Sequence, residues 1–299
     1  MSISDLALTQ ALANQLSSKV NDVANLQMQI ASGQALNQPS DNPAAVTQVL
    51  ALSSQAAQLS NYQANAQSAS SWLGTANNTA NSALQVMSSA NTLLLQASSQ
   101  GSQNASSYQA IGRQLQGMVS NLLQLANTQY DGRALFGGTS SNPLAYDANG
   151  NYLGNADTPS VVIGAGSGVG QTVPLSVPGS SMFGSGAANV FSTLSTVANA
   201  LLSGTPTSAQ ISTAITALSS NVASAEQASV VLGNATQAAS MANASLTTQL
   251  SNVQANSANL KSVNIAQATS QLGLDTASYQ AALWAASQAI PETLMKFIA

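Results

Sequence analysis

The chain has 299 residues, 44% of them hydrophobic, enough to bury a core as one elongated domain or as two to three smaller ones. Only 5% are charged, against roughly 25% in an ordinary soluble protein. Five basic residues and a net charge of -4 supply no electrostatic footprint for nucleic acid or for an anionic membrane. Cysteine and histidine are both absent, which removes disulfides, thiolate chemistry, the commonest general base and the commonest metal ligand. The opening MSISDLALTQ carries an acidic residue where a secretory signal is positively charged, and no long apolar run follows, so a cleaved signal of the general secretory type is not expected.

Heptads dominate the N-terminal half. Leu12, Leu16, Val23, Leu26 and Ile30 fall on a and d positions of one register, interrupted only by the charged Lys19, and predict a helix over 5–32 that stops at Gly33. After the corner SGQALNQPSDNPAAV, a second register runs from Leu52 through Leu59, Tyr62 and Ala66 to Ala97 and predicts one helix over about 44–99. At 1.5 Å per residue this helix is on the order of 80 Å long, which implies a rod. Its d positions from Ala69 to Ala97 are all alanine, so a partner helix can approach closely. Tyr108, Ile111, Leu115, Met118, Leu122 and Leu125 predict a shorter helix over about 105–129, after the breaker Gly101, folding back antiparallel to the second. At the corner itself, Asn42 suits an N-cap, Pro43 suits the first helical turn, and Asp41 would sit beside the positive helix end.

Between 132 and 186 lie twelve of the twenty glycines and four of the eight prolines, and the heptads vanish. Val161-Val162-Ile163 and the run from Thr172 to Val177 read as short strands, and Asn149-Gly150 between Tyr146 and Tyr152 as a hairpin turn. A small β-rich insertion leaning on the end of the rod is expected. Helical pattern then resumes with Val190, Leu194, Val197 and Leu201 and stops at Ser203-Gly204-Thr205-Pro206. From Ile211, an a position holds through Leu218, Ala225, Leu232, Ala239, Leu246, Val253 and Leu260, with Ile215, Val222 and Leu250 among the d positions. This second very long helix can pair with the first. A final pattern uses Ile265, Ala268, Leu272, Tyr279, Ala282 and Ala289 before Pro291. The expected organisation is mainly α: a rod of long antiparallel heptad helices over 41–131 and 187–261, a β-rich inserted domain over 132–186, and amphipathic terminal helices, 1–40 plus 262–299, forming an assembly domain.

No catalytic, cofactor-binding or metal-ligating residue is assigned. Nine carboxylates lie scattered, and no nucleophile motif accompanies them. Asp147-Ala148-Asn149-Gly150-Asn151 is rich in oxygen, yet lacks the glycine and the distal glutamate at the spacing a calcium loop requires, so it reads as a β-turn. Asn77, Asn104, Asn234 and Asn243 begin Asn-X-Ser/Thr triplets that this composition produces by chance, on or near predicted helices. The terminal helices have too few partners within one chain to bury their apolar faces, and packing against other molecules is expected.

SGQALNQPSDNPAAV followed by a very long helix resembles the N-terminal signature of the bacterial flagellin superfamily, and its Pro-Ser-Asp-Asn-Pro form resembles the hook-associated junction branch more than the filament subunit. LANTQYDGRALFGGT, with Asp131-Gly132-Arg133 and Phe136-Gly137-Gly138, is similar to that family's exit into its inserted domain. Tyr279-Gln280-Ala281-Ala282-Leu283 and the apolar run from Leu294 to Ile298 are similar to its C-terminal end. Two departures are Gln34 in place of the usual basic residue and Asn42 in place of a second aspartate. The resemblance implies a non-enzymatic structural subunit, secreted without a cleaved signal by the flagellar type III route, that joins hook to filament in the extracellular flagellum. Its implied partners are copies of itself in a ring, a neighbouring hook-associated protein on the hook side, flagellin on the filament side and an export chaperone at the C-terminal region. Nucleic acid, membrane and cofactors are not implied. A flagellin-type filament subunit and a non-flagellar secreted coiled-coil protein are the alternatives.

Overall fold

The computed structural model describes residues 3–99, 104–164 and 170–298, the side chains of 3–9 and 288–298 excepted. Its elements are α1 (Ile3–Ser32), α2 (Pro43–Ser98), α3 (Ala105–Ala126), β1 (Gln129–Tyr130), β2 (Arg133–Ala134), β3 (Ser160–Gly164), β4 (Gln171–Pro174), α4 (Gly179–Phe183), α5 (Val190–Leu202), α6 (Ser208–Lys261) and α7 (Ile265–Ile298). The fold is mainly α with two small antiparallel sheets, β1-β2 and β3-β4. Gly101 lies outside the described residues. Two compact units result, one of Met1–Gln58 with Leu250–Ala299 and one of Leu59–Gln249, so that α2 and α6 each contribute to both.

Uncharged side chains start the helices. Asn42 accepts from Ala45 N (3.0 Å), Asn104 from Ser107 N (3.0 Å), Asn189 from Ser192 N (2.7 Å) and Asn264 from Gln267 N (3.2 Å). At α6 Thr207 and Gln210 form a reciprocal capping box: Gln210 N donates to Thr207 Oγ1 and Thr207 N to Gln210 Oε1. Each cap satisfies amide groups that the helix itself leaves orphaned.

In the larger unit, α2 and α6 run antiparallel. Gln63 Nε2 donates to Thr247 Oγ1 (2.8 Å) and Ser229 Oγ to Asn81 Oδ1 (3.3 Å), which fixes the register over five helical turns. On that register Ala66 lies within two residues of the level of Leu246, Leu73 of Ala239, Ala80 of Leu232 and Met87 of Ala225, all of them buried. Each layer thus sets one large side chain against one alanine. The alternate layers set Ala76 near Ala235 and Ala83 near Ala228, again buried. The buried d-type positions of α6 are therefore Ala214, Asn221, Ala228 and Ala235, while Ile215, Val222 and Leu250 are only half-buried. Both sets recur at heptad spacing, and the close alanine contact selects the one with the smaller side chains, because a β-branched residue there would overpack.

Helix α3 packs on α5. Gly112 makes this possible, since a Cβ there would come 2.9 Å from Ala198 O and 3.0 Å from Leu202 Cγ. Helix α3 ends at Ala126, three residues before the sequence pattern suggests, because Asn127 caps it and the chain enters β1. Asp131 and Gly132, both at positive φ, form the two-residue turn to β2, as an Asp-Gly pair favours.

The insertion has a core of its own, built from aromatic rings. Tyr146 is central, with ring centroids 5.1 Å from Tyr152, 5.8 Å from Phe183 and 4.8 Å from Phe191, and Phe136 meets Phe183 edge-on at 5.4 Å. Tyr146, Phe136, Phe183 and Phe191 are fully buried, and the Tyr146 hydroxyl donates to Gly184 O (3.0 Å). That burial pushes the phenol far above its ordinary pKa. Amides clamp this core to the helices. Asn127 Oδ1 accepts from Ala145 N (2.9 Å) and Tyr146 N (2.8 Å), and its Nδ2 donates to Tyr146 O (2.9 Å). Asn189 Nδ2 donates to Gly150 O (2.8 Å) and Asn221 Nδ2 to Ala188 O (3.2 Å). The insertion lies along the flank of α2, not against its end: Asn65 Nδ2 donates to Val162 O (2.9 Å), Tyr130 packs 5.2 Å from the Trp72 ring and the Arg133 guanidinium lies 5.9 Å over the same ring.

Two outcomes test this packing. Ala83→Leu should destabilise the chain by about 1–3 kcal/mol through overpacking, seen as a lower thermal midpoint, whereas Ala223→Leu on the exposed face of α6 should leave the midpoint unchanged. Asn127→Ala strands three insertion backbone groups and should cost about 2–3 kcal/mol, with Asn127→Asp, which keeps both acceptors and loses the donor, falling between in urea titrations.

Candidate functional site

The smaller unit differs from the larger in how little it buries. Among its described residues only Val253, Ala268 and Asp275 are buried. Its two terminal helices, α1 and α7, pack on each other. On α1 the seam is the predicted one: Leu12, Leu16, Val23, Leu26 and Ile30 are all half-buried, and Lys19 occupies the same line. On α7 the seam is Ala268, Leu272, Asp275, Tyr279 and Ala282. Ile265, expected on that line, is 56% exposed, because α7 has only begun there and Ala268 is the first residue to face α1. The side chains of Ala289 and of the run from Leu294 to Ile298 lie outside the described residues, and the α7 backbone continues helical through Pro291 to Ile298.

One ion pair sits in this seam. Lys19 Nζ lies 2.8 Å from Asp275 Oδ1, and Gln271 Nε2 donates to Asp275 Oδ2 (3.1 Å). Asp22 approaches Lys19 at 3.7 Å from the other side. The Lys19 and Gln271 donors hold the Asp275 carboxyl below its ordinary pKa, and Asp275 raises that of Lys19. The bond's contribution is therefore present between these two ranges. It is lost as pH falls through the depressed value of Asp275, or rises through the raised value of Lys19.

The corner is the second feature. Gly33 takes φ 69° just after α1, as a helix-ending glycine does. From there Ala35 N donates to Lys261 O (2.7 Å) and Val263 N to Gly33 O (3.1 Å), so the exit of α1 and the α6–α7 junction are stapled backbone to backbone. Asn42 caps α2 as its sequence position suggests. Asp41, just ahead of that cap, also closes the turn before the helix: its Oδ2 accepts from Asn37 N (2.9 Å) and Gln38 N (2.8 Å).

Away from the seam, α7 presents a second apolar face. Leu274 is 64% and Trp284 68% exposed, with Ala277 and Ala281 on the same side. On α1, Val20 and Met28 are exposed beside Ala24 and Ala31. Asp275 and this back face are what heptad reading passed over. Asp275 occupies the seam step between Leu272 and Tyr279, and spacing alone could have found it. Chemistry of other kinds finds little to work with. Asp147 is saturated, its carboxylate accepting from Asn149 N, Asn151 N and Asn151 Nδ2, which is the geometry of a turn. Among the described residues, no three metal-ligating side chains gather, and no helix is long and apolar enough to cross a membrane.

Residues 3–141 match the model of the bacterial flagellin N-terminal helical region. No curated protein matches the chain by sequence. Among solved structures, a Vibrio parahaemolyticus protein assigned as a flagellar hook-associated protein superposes with a TM-score of 0.68 at 18% identity, covering 74% of this chain and 100% of its own. Hook-associated protein 3 of Legionella pneumophila gives 0.60 at 13% identity, covering 71% and 98%. FlgL of Bacillus cereus gives 0.59 at 20% identity, covering 70% and 99%. The fold is shared with these proteins over nearly the whole of their chains, and residues 3–141 of this chain are similar to the bacterial flagellin N-terminal helical region.

Proposed function

We propose that the chain is a structural, non-enzymatic subunit of the bacterial flagellum that joins hook to filament. It would assemble as a ring of copies through α1 and α7, with a hook-associated protein on one side and flagellin on the other. The observation that carries this reading is the near absence of a core in the terminal unit. A helix pair whose described residues include only two buried ones, Ala268 and Asp275, and which exposes Trp284 gains stability by packing on something else. The fold shared with hook-associated proteins supports the hook end of the flagellum over its length. The low charge fits as well, since Asp275 is matched by Lys19 and few other charges would need desolvation when the terminal helices are enclosed.

Export through the flagellar type III route, with a chaperone on the C-terminal region, belongs to the same reading, as does an extracellular location. The chain's lack of cysteine fits passage as an unfolded polypeptide, with no disulfide to close or open on the way. The inserted domain, 132–186, would face outward, with the long helices of 41–131 and 187–261 as its support and 1–40 plus 262–299 as the assembly part.

A filament subunit is the second reading, favoured by the match of residues 3–141 to the flagellin region itself. Self-assembly separates the two. Pure junction protein should stay monomeric in light scattering and electron microscopy without a hook template, whereas long fibres from the pure chain would establish the filament reading. Limited proteolysis of that monomer should trim residues before about 40 and after about 262, where apolar surface lacks cover, while the larger unit survives. Termini as resistant as the larger unit would contradict an assembly role for them.

A further inference from the structure

The terminal pair raises a question of specificity. Its seam is apolar and mostly aliphatic, with Tyr279 as its aromatic step: Leu12, Leu16, Val23, Leu26 and Ile30 against Ala268, Leu272, Tyr279 and Ala282. In a half-buried seam, apolar contacts of this kind penalise a slip of one heptad only weakly, because each residue still meets another apolar side chain. The staple between Gln34 and Ser262 acts only at the corner. Farther out, the one charged step among the described seam residues is the pair of Lys19 and Asp275.

We propose that Lys19 and Asp275 are the specificity-determining pair of the terminal helices, selecting one antiparallel register of α1 on α7 and rejecting the slipped ones. The antiparallel bond at 2.8 Å defines the native alignment. Sliding α7 one heptad in one direction sets Asp275 against Leu26 and Lys19 against Ala282. Sliding it in the other direction sets Asp275 against Leu12 and Lys19 against Ala268. In both cases a carboxylate whose side chain is 10% exposed keeps only Gln271 as a partner. An unpaired charge in a seam costs far more than a mismatched aliphatic contact, so the key works by penalising the wrong alignments. Lys19 reaches the seam with its stem packed and its ammonium directed at the carboxylate, and Asp22 remains available to it on the exposed side. A single polar position fixing the register of an apolar helix pair has the same logic in coiled coils.

The inference concerns pairing within one chain and stands apart from the ring reading, so each can fail alone. The absence of cysteine makes the test clean. On the native register Leu16 lies level with Tyr279, and on the slipped registers with Leu272 or Ala286. Three double variants report these alignments through intrachain disulfide formation, read as monomer mobility shifts on non-reducing gels: Leu16→Cys with Tyr279→Cys, with Leu272→Cys, or with Ala286→Cys. With Lys19 and Asp275 present, the Tyr279→Cys pair should form at least about tenfold faster than either slipped pair, as the cost of a stranded charge requires. In a Lys19→Leu/Asp275→Leu background, whose helicity is checked by circular dichroism, that preference should be lost. Lys19→Asp/Asp275→Lys should restore it, and the conservative Lys19→Arg/Asp275→Glu should retain it. A leucine background that still forms only the Tyr279→Cys pair overturns the proposal and assigns the register to the Gln34 and Ser262 staple alone. So does loss of the preference in both the swapped and the conservative backgrounds.

Discussion

The close antiparallel seam of α2 and α6 is the contact on which the rest of the larger unit depends. An alanine methyl contributes only about 0.8 kcal/mol on burial, so the seam's strength does not come from any one layer. It comes from alternation: Leu73 fills the space Ala239 leaves, Leu232 the space Ala80 leaves, Met87 the space Ala225 leaves. Between these, layers of paired alanines bring the backbones together, and close packing supplies dispersion contacts along the whole length. The arrangement also fixes alignment, since a shift of one heptad would set Leu73 against Leu232 or Leu246 and leave Ala66 or Ala80 facing Ala239. Shape thus specifies register in this unit, without charge.

With that frame in place, amides do the remaining specification. In a chain with so few charges, Asn42, Asn104, Asn189 and Asn264 start four helices, and Asn127, Asn189 and Asn221 bind the insertion to the elements around it. An amide can donate and accept at one site, so Asn127 holds the Ala145-Tyr146 strand of the Tyr146 to Tyr152 hairpin through N–H and C=O groups that would otherwise be buried unpaired. A carboxylate in the same place would accept only, and would carry a charge into the shell of the aromatic core. Neutral amides are the better clamp there, and their bonds vary little with salt or with pH across the neutral range.

How much of this was legible varies with the length of the pattern that carries it. Helices α2 and α6 were plain because their heptads continue unbroken for many turns. The cap at Asn42 was plain because Pro43 constrains both residues. The choice of Ala228 over Val222-type positions in α6 was not, because it depends on how near α2 comes, which the α6 sequence alone does not state. The insertion's core was hidden for a different reason. Phe136, Tyr146, Phe183 and Phe191 are spread over a long stretch without period, and what gathers them is a set of asparagines that look like the many others in the chain. The turn bonds of Asp41 were not legible because a carboxylate near a helix start has two uses, and the sequence does not show that the backbone N–H groups of Asn37 and Gln38 come within reach.

The terminal unit solves the alignment problem in the opposite way, and the difference follows from its lack of core. Large-against-small packing can specify a register only where side chains are well buried, because an exposed alanine opposite an exposed leucine costs little to rearrange. Leu12, Leu16, Val23 and Leu26 are half-buried at best, so shape discrimination is weak there. A charge pair retains its discrimination in that setting as long as one partner is mostly shielded, and Asp275 is. Burial of the exposed faces bearing Leu274 and Trp284 against a neighbour would shield the pair further and deepen the penalty for misalignment. The same enclosure that would complete the helix pair's core would thus also tighten its choice of register, which couples correct pairing to assembly.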